Sequence, residues 1–349
     1  MLSSLQKNKI FGLGFMSFGP WTLEDLKVLK IDIPLKVVKY ALDKLPPDYS
    51  LLLDTAQYYG VERGANEKLL GKLLGQLTFE ERRRIIIITK GGVTHFVMQR
   101  EDEEHNLHFP LECRDFFCED AETMNKSWFE SRKNLQLDKY AEIRVGYLIH
   151  RRHFSDQIFY KQLDVLSNLL SQSEIDFSGI SEVSLSDLRK ANALFKSRGQ
   201  HLNFLESEFS PNVKFLIEDG FTKFCDSNGI IILGHTPLAR GFWSSKDITA
   251  EPKGLHSHFE MFQGENYEKL KPMLERIRDY SKNCSISVNQ LVLSWILSKG
   301  IIPIPGSGNF DNSKNNIDCS CIQLTEDQIK YLDENTFDMS KKWQIKRYA

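Results

Sequence analysis

Four titratable side chains lie at the ends of three consecutive apolar segments of the chain. Asp54 ends the first segment and Tyr59 follows it, Lys90 comes directly after the second, and His150 ends the third. If the three segments are neighbouring strands of a barrel, their carboxyl ends meet on one face, where enzymes of that architecture carry their chemistry. We therefore interpret these residues as one catalytic group rather than as four unrelated side chains.

The chemistry that this set favours is proton transfer to a carbonyl oxygen. A free tyrosine titrates near ~10, and a nearby ammonium favours the phenolate, so we expect Lys90 to lower the pKa of Tyr59. Asp54 would hold Lys90 charged and oriented, and His150 would orient the substrate or share the proton. Tyr59 would then be the general acid, and the base in the reverse direction. Taken singly, Lys90 could also be a snorkelling lysine and His150 a buried, hydrogen-bonded imidazole.

The elements that must position these residues alternate between short apolar runs and longer amphipathic ones. The apolar runs predict eight strands, Ile10–Phe15, Leu51–Thr55, Ile85–Thr89, Val145–Ile149, Phe177–Ser181, Leu202–Leu205, Ile230–Leu233 and Ile301–Ile304. The amphipathic runs predict helices at Leu35–Leu45, Ala65–Leu77, Ala121–Leu135, Tyr160–Ser171, Leu185–Ser197, Val213–Ser227, Tyr267–Ser281 and Val288–Leu297. This order predicts an α/β fold, a (β/α)8 TIM barrel with long loops at its C-terminal face. An open doubly wound sheet is the alternative.

Composition changes nowhere along the chain, so we expect a single barrel domain over residues 1–349. Two insertions interrupt the pattern near residues 93–118 and 244–266, and a C-terminal tail spans 325–349. Loops of this length at the carboxyl face of a barrel usually shape the substrate pocket.

The charge balance and the apolar runs exclude several classes of partner. With 45 basic and 47 acidic residues and a net charge of −2, we expect no nucleic-acid partner and no membrane-surface role. No apolar run approaches the roughly 20 residues that span a bilayer, and the first residues lack a signal-peptide core. The six cysteines have no zinc-site spacing, which favours free thiols and a cytoplasmic location.

Two further motifs predict less than they suggest. Gly12-x-Gly14 begins like a dinucleotide fingerprint, but Ser17 stands in the third position and Gly19-Pro20 prevents a helix from starting there. We expect these glycines to allow a tight turn at the barrel mouth. The pairs His105/His108, His150/His153 and His256/His258 lack a helical carboxylate partner, so no metal is expected.

Three motifs together resemble the aldo-keto reductase family. They are Asp54-Thr55-Ala56-x-x-Tyr59-Gly60, a strand ending in Thr89-Lys90, and Leu148-Ile149-His150. The resemblance implies a (β/α)8 barrel that holds a nicotinamide cofactor without a Rossmann domain. It also implies hydride transfer to an aldehyde or ketone, with Tyr59 as the proton donor of an Asp/Tyr/Lys/His tetrad.

The resemblance also implies the cofactor site. Ser181 and Glu182 match the segment that holds the nicotinamide carboxamide, and Glu206 replaces the usual glutamine there. His235 replaces an aromatic residue that stacks on the nicotinamide. The remaining implied cofactor residues are Thr236, Pro237, Leu238, Arg240, Gly306, Ser307, Gly308, Asn312 and Asn316. Asn312 stands where many members have an arginine for the 2′-phosphate, and Lys314 is near enough in sequence to substitute, so we expect NADPH, with NADH possible.

Within the family, the chain looks most like the fungal pyridoxal reductases. That resemblance implies reduction of pyridoxal to pyridoxine in vitamin B6 metabolism, and Phe18, Trp21 and Trp243 could line a pocket for a flat aromatic aldehyde. Two alternatives remain open, a general aldehyde or sugar carbonyl reductase and a cofactor-binding regulatory subunit on the same scaffold. In each enzymatic case the partner is a small-molecule carbonyl substrate.

Overall fold

Eight parallel strands form one sheet in the computed structural model, which describes residues 5–93, 119–245 and 262–339. Within these ranges every strand pairs with the next strand in sequence, so the sheet order follows the chain order. The strands are β1 Ile10–Gly14, β2 Ser50–Asp54, β3 Ile85–Gly91, β4 Arg144–Ile149, β5 Phe177–Ser181, β6 Phe204–Glu208, β7 Ile231–His235 and β8 Ile302–Pro303. All eight predicted strands are confirmed.

The sheet closes between its first and last strands. The backbone N–H of Gly14 donates to the carbonyl oxygen of Pro305 at 3.0 Å. A Cβ at Gly14 would lie 2.9 Å from the Ile304 carbonyl oxygen, and one at Gly12 would lie 2.8 Å from that of Pro303. The prediction that these glycines serve a turn is therefore wrong. They lie inside β1 and let its backbone approach β8, and the closure excludes the open doubly wound sheet.

Helices surround the sheet and follow the strands in turn. In the described residues they are α1 Leu23–Val28, α2 Asp32–Lys44, α3 Ala65–Leu74, α4 Phe79–Arg83, α5 Ala121–Asn134, α6 Asp156–Ser171, α7 Leu185–Ser197, α8 Phe215–Glu218, α9 Phe221–Asn228, α10 Gly264–Asn283, α11 Val288–Ser298, α12 Phe310–Ile317 and α13 Glu326–Asn335. The predicted helix Val213–Ser227 is in fact two, because Gly220 adopts φ +84° between α8 and α9.

The core has two layers, and strand alternation assigns side chains to them. Leu51 and Leu53 of β2 face the helices, whereas Leu52 packs inside the barrel. The inner layer is a separate apolar cluster made of Ile10, Leu52, Ile86, Ile88, Leu148, Phe177, Phe204, Ile231, Leu233, Ile302 and Ile304. Because side chains repeat with period two along a strand, the residue two places after the last inner member of each strand lies above this cluster.

The first insertion begins and ends at one point of the barrel. The N–H of Glu119 donates to the carbonyl oxygen of Gly92 at 2.9 Å. Arg63, in the loop after β2, pairs with Glu119 at 2.5 Å and donates to Gln57 at 3.0 Å. This neck ties the base of the insertion to the loop that carries Tyr59. Most of both insertions and the end of the tail, residues 94–118, 246–261 and 340–349, lie outside the described residues.

None of the helices in the described ranges combines the length and the apolar character that crossing a bilayer requires.

Candidate active site

The carboxyl ends of the strands bring most of the predicted site residues to one place. Asp54 stands two residues after Leu52, Lys90 two after Ile88, and His150 two after Leu148. By the same period of two, Ser181, Glu206 and His235 follow inner positions of β5, β6 and β7. Six polar residues therefore lie on the inner face of the barrel, directly above its inner apolar cluster.

Lys90 lies at the centre of this group and contacts two carboxylates. Its ammonium Nζ is 2.5 Å from Asp54 Oδ1, and both oxygens of Glu206 lie 3.0 Å from it. Lys90 is 0% exposed, Asp54 3% and Glu206 2%. Burial lowers the pKa of Lys90, but the charges of Asp54 and Glu206 outweigh burial and raise it on balance, so the ammonium stays charged.

Asp54 shows the cost of two buried carboxylates around one ammonium. Burial is the main cause that raises its pKa well above the ordinary value, and the charge of Glu206 raises it further. Lys90 opposes both effects. Asp54 and Glu206 therefore compete for one positive charge, and Asp54 retains its proton more readily than an exposed carboxylate does.

Tyr59 lies beside this group. The Lys90 ammonium is 5.4 Å from the centroid of the Tyr59 ring, and the His150 ring lies 5.7 Å from it, edge to face. Lys90 lowers the pKa of Tyr59, as expected, but the other effects together raise that pKa above its ordinary value. Burial raises that pKa most, Lys90 offsets only part of the shift, and the two carboxylates raise it further. Tyr59 is therefore a neutral phenol at neutral pH.

His150 is an uncharged imidazole in this arrangement. Burial lowers its pKa well below the ordinary value, and the charges of Lys90 and Arg151 lower it further. Its backbone N–H donates to the Gly91 carbonyl oxygen at 2.9 Å, but its buried Nδ1 has no hydrogen-bond partner among the described residues. A neutral imidazole beside the phenol can orient a carbonyl oxygen by hydrogen bonding without adding charge.

Glu182 and His235 form a second pair on the next strands. His235 Nε2 lies 2.6 Å from Glu182 Oε1, and the same oxygen accepts from the backbone N–H of Glu208 at 2.9 Å. Because a carboxylate only accepts, Nε2 carries the proton. Nδ1 lies within hydrogen-bonding distance of the Thr236 hydroxyl, at 2.9 Å. This pairing fixes the ring plane of His235, the residue predicted to stack on a nicotinamide.

The loop after β7 carries the next set of predicted cofactor residues. Pro237 is buried and Leu238 half-buried, while Thr236 and Arg240 both adopt φ +56°. Arg240 is exposed to solvent, but the surrounding protein atoms and the charge of Arg151 lower its pKa to about 10. Arg240 therefore remains cationic at neutral pH, next to the barrel mouth.

The loop after β8 forms an open, small-residue segment against β1. Gly306 and Gly308 are exposed, and a Cβ on Gly306 would meet the Gly14 carbonyl oxygen at 2.9 Å. Asn309 caps α12 by accepting from the N–H of Asn312 at 3.1 Å. An exposed glycine loop that leads into a helix N-terminus has the donors and the dipole that a phosphate requires.

The two asparagines predicted for the adenosine end differ in accessibility. Asn312 is exposed, whereas Asn316 is buried and accepts from Asn289 at 3.2 Å. Lys314, which sequence suggested as a substitute for the missing arginine, pairs with Asp318 at 2.8 Å and lies 5.3 Å from the Tyr40 ring centroid. Its charge is already partly neutralised within the chain.

The three predicted substrate-contacting aromatic residues differ in exposure. Phe18 is half-buried and packs edge to face on Phe15, and Trp21 is 39% exposed near it. Trp243 is only 1% exposed, and its indole N–H donates to Asn212 Oδ1 at 3.0 Å. The hydrogen bond and the surrounding core leave Trp243 almost no exposed surface, and its place in the substrate pocket stays a prediction.

No metal centre is evident in the part of the chain that the structure describes, where no three His, Cys, Asp or Glu side chains converge. His153 Nδ1 accepts from the Ser155 N–H at 2.9 Å, as an ordinary loop contact. The other two histidine pairs, at 105/108 and 256/258, lie outside the described residues.

Comparison with known proteins assigns the family. The model described as "Aldo/keto reductase family" matches residues 12–336. Similar curated proteins include a probable aldo-keto reductase 1 of Glycine max, 29% identical over 305 residues that cover 86% of this chain and 78% of that protein. An aldo-keto reductase of Gibberella moniliformis is 23% identical, with 79% and 77% covered. The aldo-keto reductase yakc [NADP(+)] of Schizosaccharomyces pombe is 26% identical, with 80% and 77% covered.

A solved structure shares the fold. The crystal structure of a thermostable aldo-keto reductase in complex with the inhibitor epalrestat superposes with a TM-score of 0.63. It is 20% identical, and 95% of each chain is covered.

Proposed function

This chain belongs to the aldo/keto reductase family, a family of oxidoreductases, and from that premise we propose that it reduces an aldehyde or ketone to an alcohol with NADPH. The single observation that supports this most is the buried contact of Lys90 with Asp54, with Tyr59 and His150 beside it. Such a group serves one purpose well, which is to deliver a proton to an oxygen that gains negative charge.

Tyr59 is the proposed proton donor. Because burial keeps it neutral, it holds a proton at every physiological pH and releases it only to a strongly basic oxygen, such as the one that forms during carbonyl reduction. Lys90 stabilises the phenolate that remains, through its full and permanent charge. Asp54 holds that ammonium in place at 2.5 Å. NADPH supplies the hydride when bound.

His150 is the proposed orienting group for the carbonyl. It is neutral because of burial and of the nearby positive charges, so it acts as a hydrogen-bond donor without competing with Tyr59 as an acid. Its ring meets the Tyr59 ring edge to face at 5.7 Å, which allows both groups to reach one oxygen atom.

The residues of the chain fit a nicotinamide dinucleotide. Ser181 lies at the end of β5, and His235 is held in one ring orientation by Glu182, so the first can bind the carboxamide and the second can stack on the ring. The exposed glycines around Ser307 and the N-terminus of α12 suit the phosphates. A relative named as NADP(+)-dependent supports NADPH over NADH.

Pyridoxal is the proposed substrate. Phe18 and the exposed indole of Trp21 supply flat apolar surfaces next to β1, which suit an aromatic aldehyde. The test is a panel of aldehydes, ketones and sugars that includes pyridoxal, with NADPH oxidation followed by absorbance. Turnover of pyridoxal above the other members supports this substrate. Brisk turnover of other carbonyls without pyridoxal activity would leave a general carbonyl reductase, and no turnover of any member would favour a regulatory protein.

A further inference from the structure

We propose that Glu206 is a positioning residue for proton transfer, a second counter-ion of Lys90 that draws the ammonium charge away from Tyr59 and keeps the site in its proton-donating form. This inference rests on the proposed reductase function. It gives Glu206 a role other than the carboxamide contact that its sequence position suggests.

Glu206 contacts the Lys90 ammonium directly, as Asp54 does. Both carboxylate oxygens of Glu206 lie 3.0 Å from Nζ, and Asp54 approaches to 2.5 Å. An ammonium has three donors, and two of them are occupied by these carboxylates. A glutamine at position 206 could offer one neutral acceptor, whereas the glutamate offers a full negative charge at a buried site.

The charges of the neighbouring strands do not cancel that of Glu206. Glu182, after β5, is tied to His235 at 2.6 Å and lies 3.5 Å from Arg151, so these three groups form a separate, nearly balanced set. His150 is neutral, and Arg240 lies on the loop after β7. Lys90 is thus the cation that Asp54 and Glu206 share, and the sum over these three groups is negative when both carboxylates are ionised.

The consequence falls on Tyr59. Carbonyl reduction uses the phenol, whereas alcohol oxidation uses the phenolate, and a phenolate is stabilised by whatever positive charge reaches it. The negative charges of Glu206 and Asp54 partly cancel the electrostatic effect of the Lys90 ammonium on Tyr59. They therefore raise the pKa of Tyr59, in addition to the larger effect of burial. The chain is therefore built to favour reduction up to alkaline pH and to delay oxidation.

The experiment compares Glu206→Gln with the wild-type protein. The variant removes one negative charge with almost no change in shape. The expected result is that the pH at which reduction declines and the pH at which oxidation begins both move down by about one unit, in line with one nearby charge. The Kd for NADPH, measured by fluorescence, should stay within about threefold. Glu206→Asp, which keeps the charge, should show the same dependence of reduction and oxidation on pH as the wild-type protein.

A second readout needs neither cofactor nor turnover. The tyrosinate absorbance of the cofactor-free protein is titrated with base, and the curve of a Tyr59→Phe variant is subtracted. In Glu206→Gln the difference signal should appear at lower pH than in the wild-type protein. Glu67→Gln is the matched control, because Glu67 is a fully buried carboxylate bound to Thr89 and outside the site, and it should leave the signal in place.

Three outcomes would overturn the inference or separate it from the proposed function. If Glu206→Gln leaves the pH dependence of both reactions unchanged but weakens NADPH binding more than tenfold, Glu206 is a cofactor ligand instead. If Glu206→Gln fails to fold, Asp54→Asn removes the other charge and must move the Tyr59 signal in the same direction, and an opposite shift would refute the idea. If no carbonyl is reduced but the Tyr59 signal shifts as expected, the reductase proposal fails while the charge arrangement stands.

Discussion

Lys90 Nζ lies 2.5 Å from Asp54 Oδ1, and both side chains are buried at the centre of the barrel. Such a contact is worth little to the fold when both partners are present, because the desolvation cost of two charges offsets their attraction. It becomes important to stability when one partner is removed. With Glu206, two carboxylates face one ammonium. Removing the ammonium should therefore destabilise the fold, whereas removing one carboxylate charge should reduce the excess of negative charge.

Lys90→Met should destabilise the fold by about 3–5 kcal/mol at pH 7, because it leaves two buried carboxylates without a cation. The loss should shrink toward pH 5. The folded-state pKa of Asp54 already lies above its ordinary value, so protonation favours the folded state as the pH falls, and that stabilisation is lost as the pH rises through the folded pKa. Urea unfolding at both pH values measures this.

The control for that substitution is Lys126→Met, since Lys126 is an exposed lysine paired with Glu122 on α5. It should change stability by no more than about 0.5 kcal/mol. An unfolding midpoint for Lys90→Met equal to that of the wild-type protein would contradict the buried ammonium.

Tyr59→Phe should lower kcat by a factor of about 10² to 10⁴, the usual contribution of a positioned general acid. The Kd for NADPH should change little, because only a hydroxyl is removed. Tyr58→Phe is the matched control, since Tyr58 lies one residue away with its ring 6.2 Å from His150. Equal losses in the two variants, or full turnover in Tyr59→Phe, would reject Tyr59 as the donor.

Much of this site follows from the sequence because a strand has a period of two. The apolar residues Leu52, Ile88 and Leu148 fix which face is inner, and the polar residues two places on must then share it. The same count, applied to Phe204, places Glu206 beside Lys90, which the family position alone did not suggest. The signal was present in the alternation and was missed because β6 was predicted to end at Leu205.

Other features needed the three-dimensional structure. The sign of the pKa shift of Tyr59 depends on burial, which outweighs the ammonium that sequence identifies. The burial of Trp243 depends on Asn212, a residue on another loop that accepts its N–H. The two-part helix around Gly220 and the closure at Gly14 depend on backbone angles and approaches that no periodicity records.

Gly14→Ala should destabilise the barrel by about 1–3 kcal/mol, because the added methyl group would lie 2.9 Å from the Ile304 carbonyl oxygen and force β1 away from β8. Thermal unfolding followed by circular dichroism measures the loss. Gly75→Ala provides the comparison, since its Cβ would meet the end of the Tyr140 side chain at 3.0 Å and the Lys72 carbonyl oxygen at an ordinary 3.4 Å. If Gly14→Ala unfolds at the same temperature as Gly75→Ala and the wild-type protein, the contact between β1 and β8 does not constrain closure of the barrel.

Trp243→Phe should reduce stability by about 1–3 kcal/mol, because it removes part of a buried ring and one hydrogen bond to the Asn212 oxygen, which keeps the Ser210 hydroxyl as a donor. The KM for the carbonyl should remain near that of the wild-type protein. Trp21→Ala should do the reverse and raise KM with little effect on unfolding. The two variants are compared by steady-state kinetics and urea unfolding. A change in KM that is confined to Trp243→Phe would place Trp243 in the substrate pocket.

Asn312→Arg should increase the preference for NADPH over NADH by about tenfold in kcat/KM, since a charged hydrogen bond to a phosphate contributes about 1.5–3 kcal/mol. Asn312 is exposed near the start of α12, so the longer side chain can be accommodated. The ratio of kcat/KM for the two cofactors is the measurement. A ratio that does not change would mean that the 2′-phosphate does not bind at this end of α12.

A backbone hydrogen bond from Glu119 to Gly92 joins the two residues that flank the first insertion. A segment whose two ends already touch can lengthen, shorten or change sequence at small entropic cost, because closure depends only weakly on loop length. Arg63 couples that junction to the loop of Tyr59. The residues at the base of the insertion are thus held to the barrel and to the loop of Tyr59, and we expect a change in the length of the insertion to cost little loop-closure entropy and to leave that loop in place.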